Sequence, residues 1–172
     1  LRREVKLLQQ CEHPHLLPLL GHCLAKEAPC LVFPLMRGGS LQARLQPTAE
    51  EVTCLLRLGP FTATPKPLTW RQRLRIVLQA TEALVYLHTA TPNKPSIVHR
   101  DFKPANILLD EQLTAYLSDT GFAKAAQLSG AGAAATTQLG PCFTPGYADP
   151  VITNGGEYAF LTDGYAVGVT LL

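Results

Sequence analysis

The sequence contains few charges and no long hydrophobic run. Charged residues make up 16% of the 172 residues, and fifteen Lys and Arg stand against thirteen acidic residues without a dense basic stripe. This balance gives no indication of binding to nucleic acid or to an anionic membrane. No apolar run approaches the roughly 18 residues of a membrane span. Because 47% of the residues are hydrophobic, the chain can bury the core of one domain, or of a large part of one.

Cysteine is also scarce, and its pattern gives no disulfide framework. The five cysteines are Cys11, Cys23, Cys30, Cys54 and Cys142. An odd number without a repeated spacing favours reduced thiols inside the cell. Residues 13–23 contain three histidines and one cysteine, which leaves zinc binding as an alternative for this stretch.

We expect the sequence to be a fragment of a longer protein. The chain begins at Leu1 without a Met and stops at Leu172 within an apolar stretch. No signal peptide opens it, and any membrane anchor is expected only in flanking segments. We therefore predict a cytoplasmic protein, or one on the cytoplasmic side of a membrane if a flank contains a transmembrane segment.

The first part of the sequence predicts one helix followed by two strands. Residues 1–10 have the pattern of an amphipathic helix, and Pro14 prevents its continuation. The apolar runs 16–24 and 30–36 predict two strands joined by a turn. Residues 46–67 carry four prolines and no sustained periodicity, so we interpret them as a surface insertion without a helix or strand.

A long helix is predicted after this insertion. Thr69 and Gln72 form a capping-box pattern, and the apolar residues that follow recur at helical spacing. The face predicted to be buried consists of Leu74, Val77, Leu78, Thr81, Leu84, Val85, Leu87 and His88. Two short strands are expected at 107–109 and 115–117, and a further helix at 160–172.

The order of these elements predicts an α+β fold with two lobes that meet near Gly38, where strand pairs give way to helices. Residues 1–36 then belong to the smaller lobe, and residues 37–172 to the connecting hinge and the larger lobe. The tract 129–137 consists of Ser, Gly, Ala and Thr, and it offers almost no large side chain to bury. We expect this tract to be mobile.

The clearest chemical signal is the run V-H-R-D-F-K-P-A-N-I-L-L at residues 98–109. It resembles the catalytic loop of protein kinases, H-R-D-x-K-P-x-N followed by a strand. Phosphoryl transfer needs an aligned hydroxyl, a bound metal and compensated phosphate charge. Asp101 can accept the proton of the attacking hydroxyl, and Lys103 can place a positive charge beside the phosphoryl group. Asn106 offers an amide oxygen that suits Mg²⁺.

The resemblance to protein kinases extends upstream and downstream of this loop, and it implies a nucleotide site. Asp119, in L-S-D-T-G-F, occupies the place of the family's D-F-G aspartate and is expected to bind Mg²⁺ with Asn106. Glu4 corresponds to the glutamate that pairs with an ATP-binding lysine. The remaining residues expected at the nucleotide are Phe33 as gatekeeper, Pro34 and Met36 through their backbone, Leu108 in the following strand, and Lys103.

Two further motifs resemble the end of a kinase activation segment and the central helix of the large lobe. They are F-T-P-G-Y-A-D-P at 143–150 and D-G-Y-A-V-G-V at 163–169. The resemblance implies that Thr144 contacts Asp101 and Lys103, and that Asp163 holds the backbone of the catalytic loop. The chain is most similar to the plant-type receptor-like and interleukin-1-receptor-associated kinases.

This resemblance implies ATP- and Mg²⁺-dependent phosphorylation of protein substrates. The presence of Pro104 directly after Lys103 favours Ser and Thr over Tyr as the acceptor residues. The glycine-rich loop and the ATP-binding lysine are expected before residue 1, so we expect the isolated fragment to be inactive. Thr120 replaces the D-F-G phenylalanine and Val151 replaces the A-P-E glutamate. These departures leave a pseudokinase scaffold, or a nucleotide-binding interaction module, as the alternative.

Regulation by an upstream kinase is a further expectation from the sequence. A phosphate on Ser129, Thr136 or Thr137 would carry nearly two negative charges. Pairing of this phosphate with Arg100 would order the tract and couple it to Asp101. The alternative is that the tract is a passive spacer.

Overall fold

The computed structural model describes residues 2–125, 127–129, 132–135 and 143–172, and at 2–4, 122, 127–129 and 132–135 it describes the backbone alone. Its helices are α1 (Arg2–Leu8), α2 (Leu41–Leu45), α3 (Ala49–Leu58), α4 (Trp70–His88), α5 (Pro150–Thr153) and α6 (Phe160–Leu171). Its strands are β1 (Gly21–Cys23), β2 (Cys30–Val32), β3 (Gly39–Ser40), β4 (Ile97–Val98), β5 (Ile107–Leu109), β6 (Ala115–Leu117), β7 (Lys124–Ala125), β8 (Gln127–Ser129), β9 (Gly132–Ala135) and β10 (Tyr158–Ala159). Two 3₁₀ turns cover Pro104–Asn106 and Thr120–Phe122.

The strands form four small antiparallel groups. Their orders are β1-β2, β3-β5-β6, β4-β7 and β8-β9-β10. The strands predicted at 107–109 and 115–117 are confirmed as β5 and β6. The two predicted near the N-terminus are also present as β1 and β2, but they are shorter than the apolar runs that indicated them.

Helix α4 lies at the centre of the main core, and it begins at the predicted capping box. Gln72 N–H donates to Thr69 Oγ1, and the Gln72 side chain accepts from Thr69 N–H at 2.8 Å. The helix then buries a face that packs with residues of β5 and β6. This face consists of Ile76, Val77, Ala80, Ala83, Leu84 and Leu87. Each fully buried Val, Leu or Ile side chain contributes about 1.5–3 kcal/mol to stability through its removal from water.

The buried face of α4 differs in part from the predicted one. Val77, Leu84 and Leu87 are buried as predicted, but Leu74, Leu78 and Val85 are 43%, 60% and 58% exposed. Helical spacing allowed two adjacent apolar stripes, and the stripe that contains small alanines is the one that packs. An alanine lets the helix backbone come close to a neighbouring element because it has no bulk beyond Cβ.

Of the helices that the structure describes, none has the length and apolar character needed to cross a membrane.

The predicted surface insertion contains a regular element, helix α3, and this corrects the prediction. Thr48 and Glu51 form a complete capping box, with Thr48 N–H donating to Glu51 Oε2 at 2.8 Å. The four prolines of residues 46–67 flank α3 and do not interrupt it. Leu55 is buried and lies against Gly39. The prolines argued against a regular element, whereas the T-x-x-E pattern that lies between them is a signal for the start of a helix.

A close backbone approach at Gly38 connects the segment after β2 to β5. Gly38 N–H donates to the carbonyl oxygen of Leu109 at 2.9 Å. A side chain at this position would collide with the carbonyl oxygens of Leu109 and Asp110. Only glycine therefore fits here without a shift of the backbone.

The tract that was predicted to be mobile, 129–137, contains strand β9 and the last residue of β8. β9 pairs with both β8 and β10 through backbone hydrogen bonds. Every residue other than proline carries a backbone donor and acceptor, so small side chains do not prevent strand pairing. Residues 136–142, which include Thr136, Thr137 and Cys142, lie outside the described residues. The structure therefore does not test the prediction that Thr136 or Thr137 is phosphorylated.

Candidate active site

The backbone of the predicted catalytic loop is held by one buried carboxylate. Asp163, in the first turn of α6, is 1% exposed. Its Oδ2 accepts from the backbone N–H of His99 and its Oδ1 from that of Arg100, both at 2.8 Å. This arrangement fixes the loop directly after β4, and it is the one that the kinase resemblance implied for Asp163.

His88 is a further partner of Asp163 that sequence reasoning missed. Its Nε2 lies 2.8 Å from Asp163 Oδ2, and its ring stacks on Phe160 with centroids 4.5 Å apart. The helical spacing of the sequence predicted His88 on the apolar face of its helix. The two partners are 75 positions apart, so no local pattern could join them.

We expect Asp163→Asn to lower the free energy of unfolding by about 1–3 kcal/mol. The amide keeps one acceptor oxygen, so the N–H groups of His99 and Arg100 cannot both be satisfied as they are by a carboxylate. Urea denaturation of the whole protein measures the difference. The control is Glu111→Gln, because the exposed ion pair of Glu111 with Arg37 is worth only about 0–1 kcal/mol. Equal loss of stability in the two variants would contradict the assigned role.

The loop conformation is defined by His99 and Arg100. His99 Nδ1 accepts from the backbone N–H of Asp101 at 3.3 Å, and its Nε2 lies 3.0 Å from the carbonyl oxygen of Ser118. These two contacts together require the tautomer with the proton on Nε2. Arg100 has a φ of 75°, and its guanidinium lies 4.1 Å from the ring centroid of Tyr158. A non-glycine residue in this region of φ is uncommon, and such residues cluster at functional sites.

The Asp101 carboxylate accepts hydrogen bonds from three side chains. Thr144 Oγ1 donates to its Oδ1 at 2.6 Å, and Lys103 Nζ donates to its Oδ2 at 2.7 Å. Asn106 Nδ2 donates to the same Oδ2 and to the backbone oxygen of Asp101, both at 2.8 Å. Lys103 Nζ also donates to Thr144 Oγ1 at 2.8 Å. Three of the residues predicted to be catalytic therefore surround the carboxylate of the fourth, Asp101, which is 7% exposed.

Asp101, Lys103 and Asn106 each keep one bonding position beyond the contacts that the described residues make. A carboxylate has about four lone-pair sites, and three of those of Asp101 are filled by side chains. Lys103 uses two of its three N–H donors on Asp101 and Thr144. Both hydrogens of the Asn106 amide nitrogen are used, and its oxygen is left for another partner. One acceptor, one cationic donor and one hard oxygen thus converge at the loop.

A cavity of about 340 Å³ lies between α1, the segment after β2, β5 and the 3₁₀ turn at Thr120. Four of the residues predicted to contact the nucleotide line it. They are Phe33, Pro34, Leu108 and Asp119. The other lining residues are Leu8, Leu17, Leu117, Ser118 and Thr120. The walls are mostly apolar and one end carries a carboxylate, which is the form of many small-molecule sites.

Three of the residues predicted to contact the nucleotide do not line this cavity. Met36 is half-buried in a turn, where its carbonyl oxygen accepts from Gly39 N–H at 3.1 Å, and it does not line the cavity. Glu4 lies within α1, and its side chain is outside the part of the chain that the structure describes. Lys103 belongs to the Asp101 cluster described above.

Asp119 and Asn106 fit the chemistry of a Mg²⁺ site. Asp119 is exposed and has a left-handed backbone, with a φ of 58°. An anionic carboxylate and a neutral amide oxygen are ligands that Mg²⁺ accepts, and phosphate oxygens and water usually complete its coordination.

The alternative of zinc binding at residues 13–23 finds no support. In this stretch, and elsewhere in the described ranges, no group of three or more His, Cys, Asp and Glu side chains could hold a metal ion.

Thr120 is 5% exposed, and its hydroxyl has no hydrogen-bond partner among the described atoms. Thr120 stands where the family has the D-F-G phenylalanine, and this change was one of the two departures that left a pseudokinase as the alternative. Thr120 and Leu8 line the same cavity, together with Leu17. An unsatisfied buried hydroxyl costs free energy, so a partner for Thr120 would stabilise this part of the cavity.

Lys94 is a buried cation that sequence reasoning also missed. It is 2% exposed, and its ammonium group lies 4.8 Å from the ring centroid of Tyr86. It donates to the carbonyl oxygens of Leu87, Thr89 and Pro95. Burial lowers the pKa of the Lys94 amine. These bonds fix the connection between α4 and β4, which leads into the predicted catalytic loop. Lysines are usually exposed, so nothing in the sequence indicated that Lys94 is buried.

A comparison with known protein families gives a result that is consistent with the geometry of this loop and cavity. A family model described as "Protein kinase domain" matches residues 1–172. The chain therefore belongs to the protein kinase domain family. Members of this family generally use ATP and Mg²⁺.

The chain is similar to several plant proteins. It is 37% identical over 169 residues to the probable serine/threonine-protein kinase PBL11 of Arabidopsis thaliana, covering 98% of this chain and 39% of that protein. It is 39% identical over 171 residues to U-box domain-containing protein 51 of the same plant, covering 99% and 20%. A third relative is the EPD1-interacting receptor-like cytoplasmic serine/threonine-protein kinase 5D of Gossypium barbadense, at 38% over 169 residues, covering 98% and 32%.

These relatives confirm the resemblance to plant receptor-like kinases. The chain spans less than half the length of each of them, at 39%, 20% and 32%. The names of two of them describe serine/threonine-protein kinases. They give no support to a pseudokinase.

Proposed function

We propose that the protein containing this chain transfers the γ-phosphate of ATP to serine or threonine hydroxyls of protein substrates. The observation that carries the proposal is the Asp101 cluster, in which one carboxylate site, one ammonium donor and one amide oxygen remain available together. Phosphoryl transfer requires these three capacities for the hydroxyl, the phosphoryl group and the metal ion.

Asp101 is proposed to accept the hydrogen bond of the substrate hydroxyl and then its proton. Thr144 and Lys103 hold the carboxylate in one orientation, so that its remaining site faces a fixed direction. Lys103 directs its third donor toward the phosphoryl oxygens, and Thr144 ties the loop to the segment that precedes α5. When bound, Mg²⁺ compensates phosphate charge, and Asn106 and Asp119 are the residues proposed to hold it.

The nucleotide is proposed to occupy the cavity beside Phe33. Phe33, Pro34 and Leu108 would enclose the base between apolar surfaces. The carbonyl oxygen of Pro34 and the N–H of Met36 are the backbone groups proposed to bond the base, and proline serves at the first position because only its carbonyl is needed. Glu4 is proposed to pair with an ATP-binding lysine outside this sequence.

The substrate class and location follow the names of the relatives. Two are named as serine/threonine-protein kinases, and one of these as receptor-like cytoplasmic. We therefore propose Ser/Thr specificity and a cytoplasmic location, or the cytoplasmic side of a membrane if flanking segments provide an anchor. We also propose an upstream kinase that acts on Ser129, Thr136 or Thr137, with Arg100 as the partner of the phosphate.

A transfer assay with the whole protein tests the proposal. The protein is incubated with Mg²⁺, γ-labelled ATP and matched peptides that differ only in carrying Ser, Thr or Tyr. We expect label on the Ser and Thr peptides and loss of transfer when Mg²⁺ is chelated. Label on the Tyr peptide alone would overturn the specificity. Nucleotide binding without any transfer would instead establish the interaction module, which the changes at Thr120 and Val151 left as the alternative.

A further inference from the structure

Two cysteines face each other across the β1-β2 hairpin. In the register of this pair, Cys23 is directly opposite Cys30. Side chains of directly opposed residues point to the same face of a sheet, with Cβ atoms about 4.5–5.5 Å apart. Alternation along each strand also places Gly21 and Val32 on this face. Since Gly21 has no side chain, the face around the two thiols is not crowded.

The strand pairing brings the two cysteines within the range of a disulfide. Directly opposed residues of antiparallel strands have Cα atoms about 4.5 or 5.5 Å apart, depending on their hydrogen bonding. Disulfides join residues whose Cα atoms lie about 4.4–6.8 Å apart. The Cα separation of either kind of pairing therefore suits a bond between Cys23 and Cys30, and its closure requires the two Cβ atoms to approach from about 4.5–5.5 Å to about 3.5–4.5 Å.

Access and surroundings set this pair apart from the other cysteines that the structure describes. Cys30 is exposed and Cys23 is half-buried, so a small reagent reaches the pair from solvent. Burial raises the pKa of the Cys11 thiol by more than the nearby charge of Lys94 lowers it. A raised pKa reduces the fraction of the reactive thiolate form. Cys54 is exposed on α3, outside the strand pairs, and has no cysteine opposite it.

We propose that Cys23 and Cys30 form a dithiol site that a peroxide converts to a disulfide within the hairpin. The thiolate of one cysteine attacks a peroxide oxygen, the O–O bond breaks, and a sulfenic acid and water result after proton uptake. The second thiolate attacks the sulfenic sulfur, the S–O bond breaks and a second water leaves. Two thiols are oxidised to one disulfide while one hydrogen peroxide is reduced to two waters.

The site lies next to the proposed nucleotide cavity along the chain. β2 ends at Val32, and Phe33 and Pro34, which line the cavity, follow at once. A covalent link between β1 and β2 would restrict the strand that leads into these two residues. The proposal itself does not depend on kinase activity, because formation of the bond is measured directly.

Peptide mapping of the whole protein after peroxide treatment tests the proposal. Trypsin cleaves after Lys26, which lies between the two cysteines, and thereby separates them into peptides 7–26 and 27–37. We expect these two peptides to be joined, with the loss of two hydrogen atoms, and to separate again after reduction. Because peptide 7–26 also contains Cys11, the same link must form in the Cys11→Ser variant.

Matched variants and a second probe complete the test. The link should disappear in Cys23→Ser and in Cys30→Ser and persist in Cys54→Ser. Phenylarsine oxide bridges two nearby thiols with release of water, so its affinity should fall by about 10²-fold in Cys30→Ser, when a bivalent contact becomes monovalent. Unlinked peptides with Cys30 recovered as a sulfinic acid would overturn the proposal, as would a link from Cys11 or Cys142 to Cys30.

Discussion

Replacement of Asp101 with asparagine is expected to reduce phosphoryl transfer by the whole protein by about 10²–10⁴-fold. The carboxylate accepts from Thr144, Lys103 and Asn106, and it is the proposed acceptor of the substrate proton. An asparagine amide cannot take up this proton. Its NH₂ group would also face the ammonium group of Lys103 or the hydroxyl of Thr144, so that donors oppose each other.

The measurement is the rate of label transfer from ATP at saturating peptide, together with nucleotide affinity. The matched control is Asp110→Asn, because Asp110 lies in the turn between β5 and β6 and accepts only local backbone N–H groups. We expect the control to retain transfer and both variants to bind nucleotide. Equal incorporation by wild type and Asp101→Asn would contradict the role of Asp101.

Replacement of Asp119 with asparagine is expected to weaken Mg²⁺-dependent ATP binding and turnover by about 10²–10³-fold, because a metal ion supplies several kcal/mol of charge stabilisation. Asparagine preserves the shape and removes the charged ligand. It also tolerates the left-handed backbone of this position, and Asp119 is exposed, so stability should not change.

Nucleotide affinity is measured as a function of Mg²⁺ concentration, with thermal unfolding recorded on the same samples. The wild type should bind more tightly as Mg²⁺ rises, whereas Asp119→Asn should respond only weakly. Asp110→Asn again serves as the control for loss of one carboxylate. If Asp119→Asn and the wild type showed the same dependence on Mg²⁺, Asp119 would not be the metal ligand.

Local elements were the most predictable part of the fold. The capping box at Thr69, the strands β5 and β6 and the final helix follow from short-range patterns, because the hydrogen bonds that define them join residues close in sequence. Helix α3 carried an equally local signal at Thr48, and the prediction missed it by giving more weight to the flanking prolines.

The candidate site was predictable where its residues share one loop. Asp101, Lys103 and Asn106 lie within six positions, so their spacing on a tight turn limits how far apart their side chains can be. Thr144 and Asp163 could be named only through the resemblance to protein kinases. Their hydrogen bonds cross 43 and 63 positions, and no pattern within a single segment determines such contacts.

The sequence by itself determined the family, the side-chain chemistry available in the loop of Asp101, and the positions of helices α1, α4 and α6 and strands β1, β2, β5 and β6. Tertiary structure decided which stripe of α4 is buried, that His88 joins Asp163, that Lys94 is enclosed, and that Cys23 faces Cys30. The physical reason is that periodicity and capping depend on neighbours within a turn or a strand. Burial and side-chain pairing depend on whichever distant segment packs there, and the free energy of that packing is set by the whole fold.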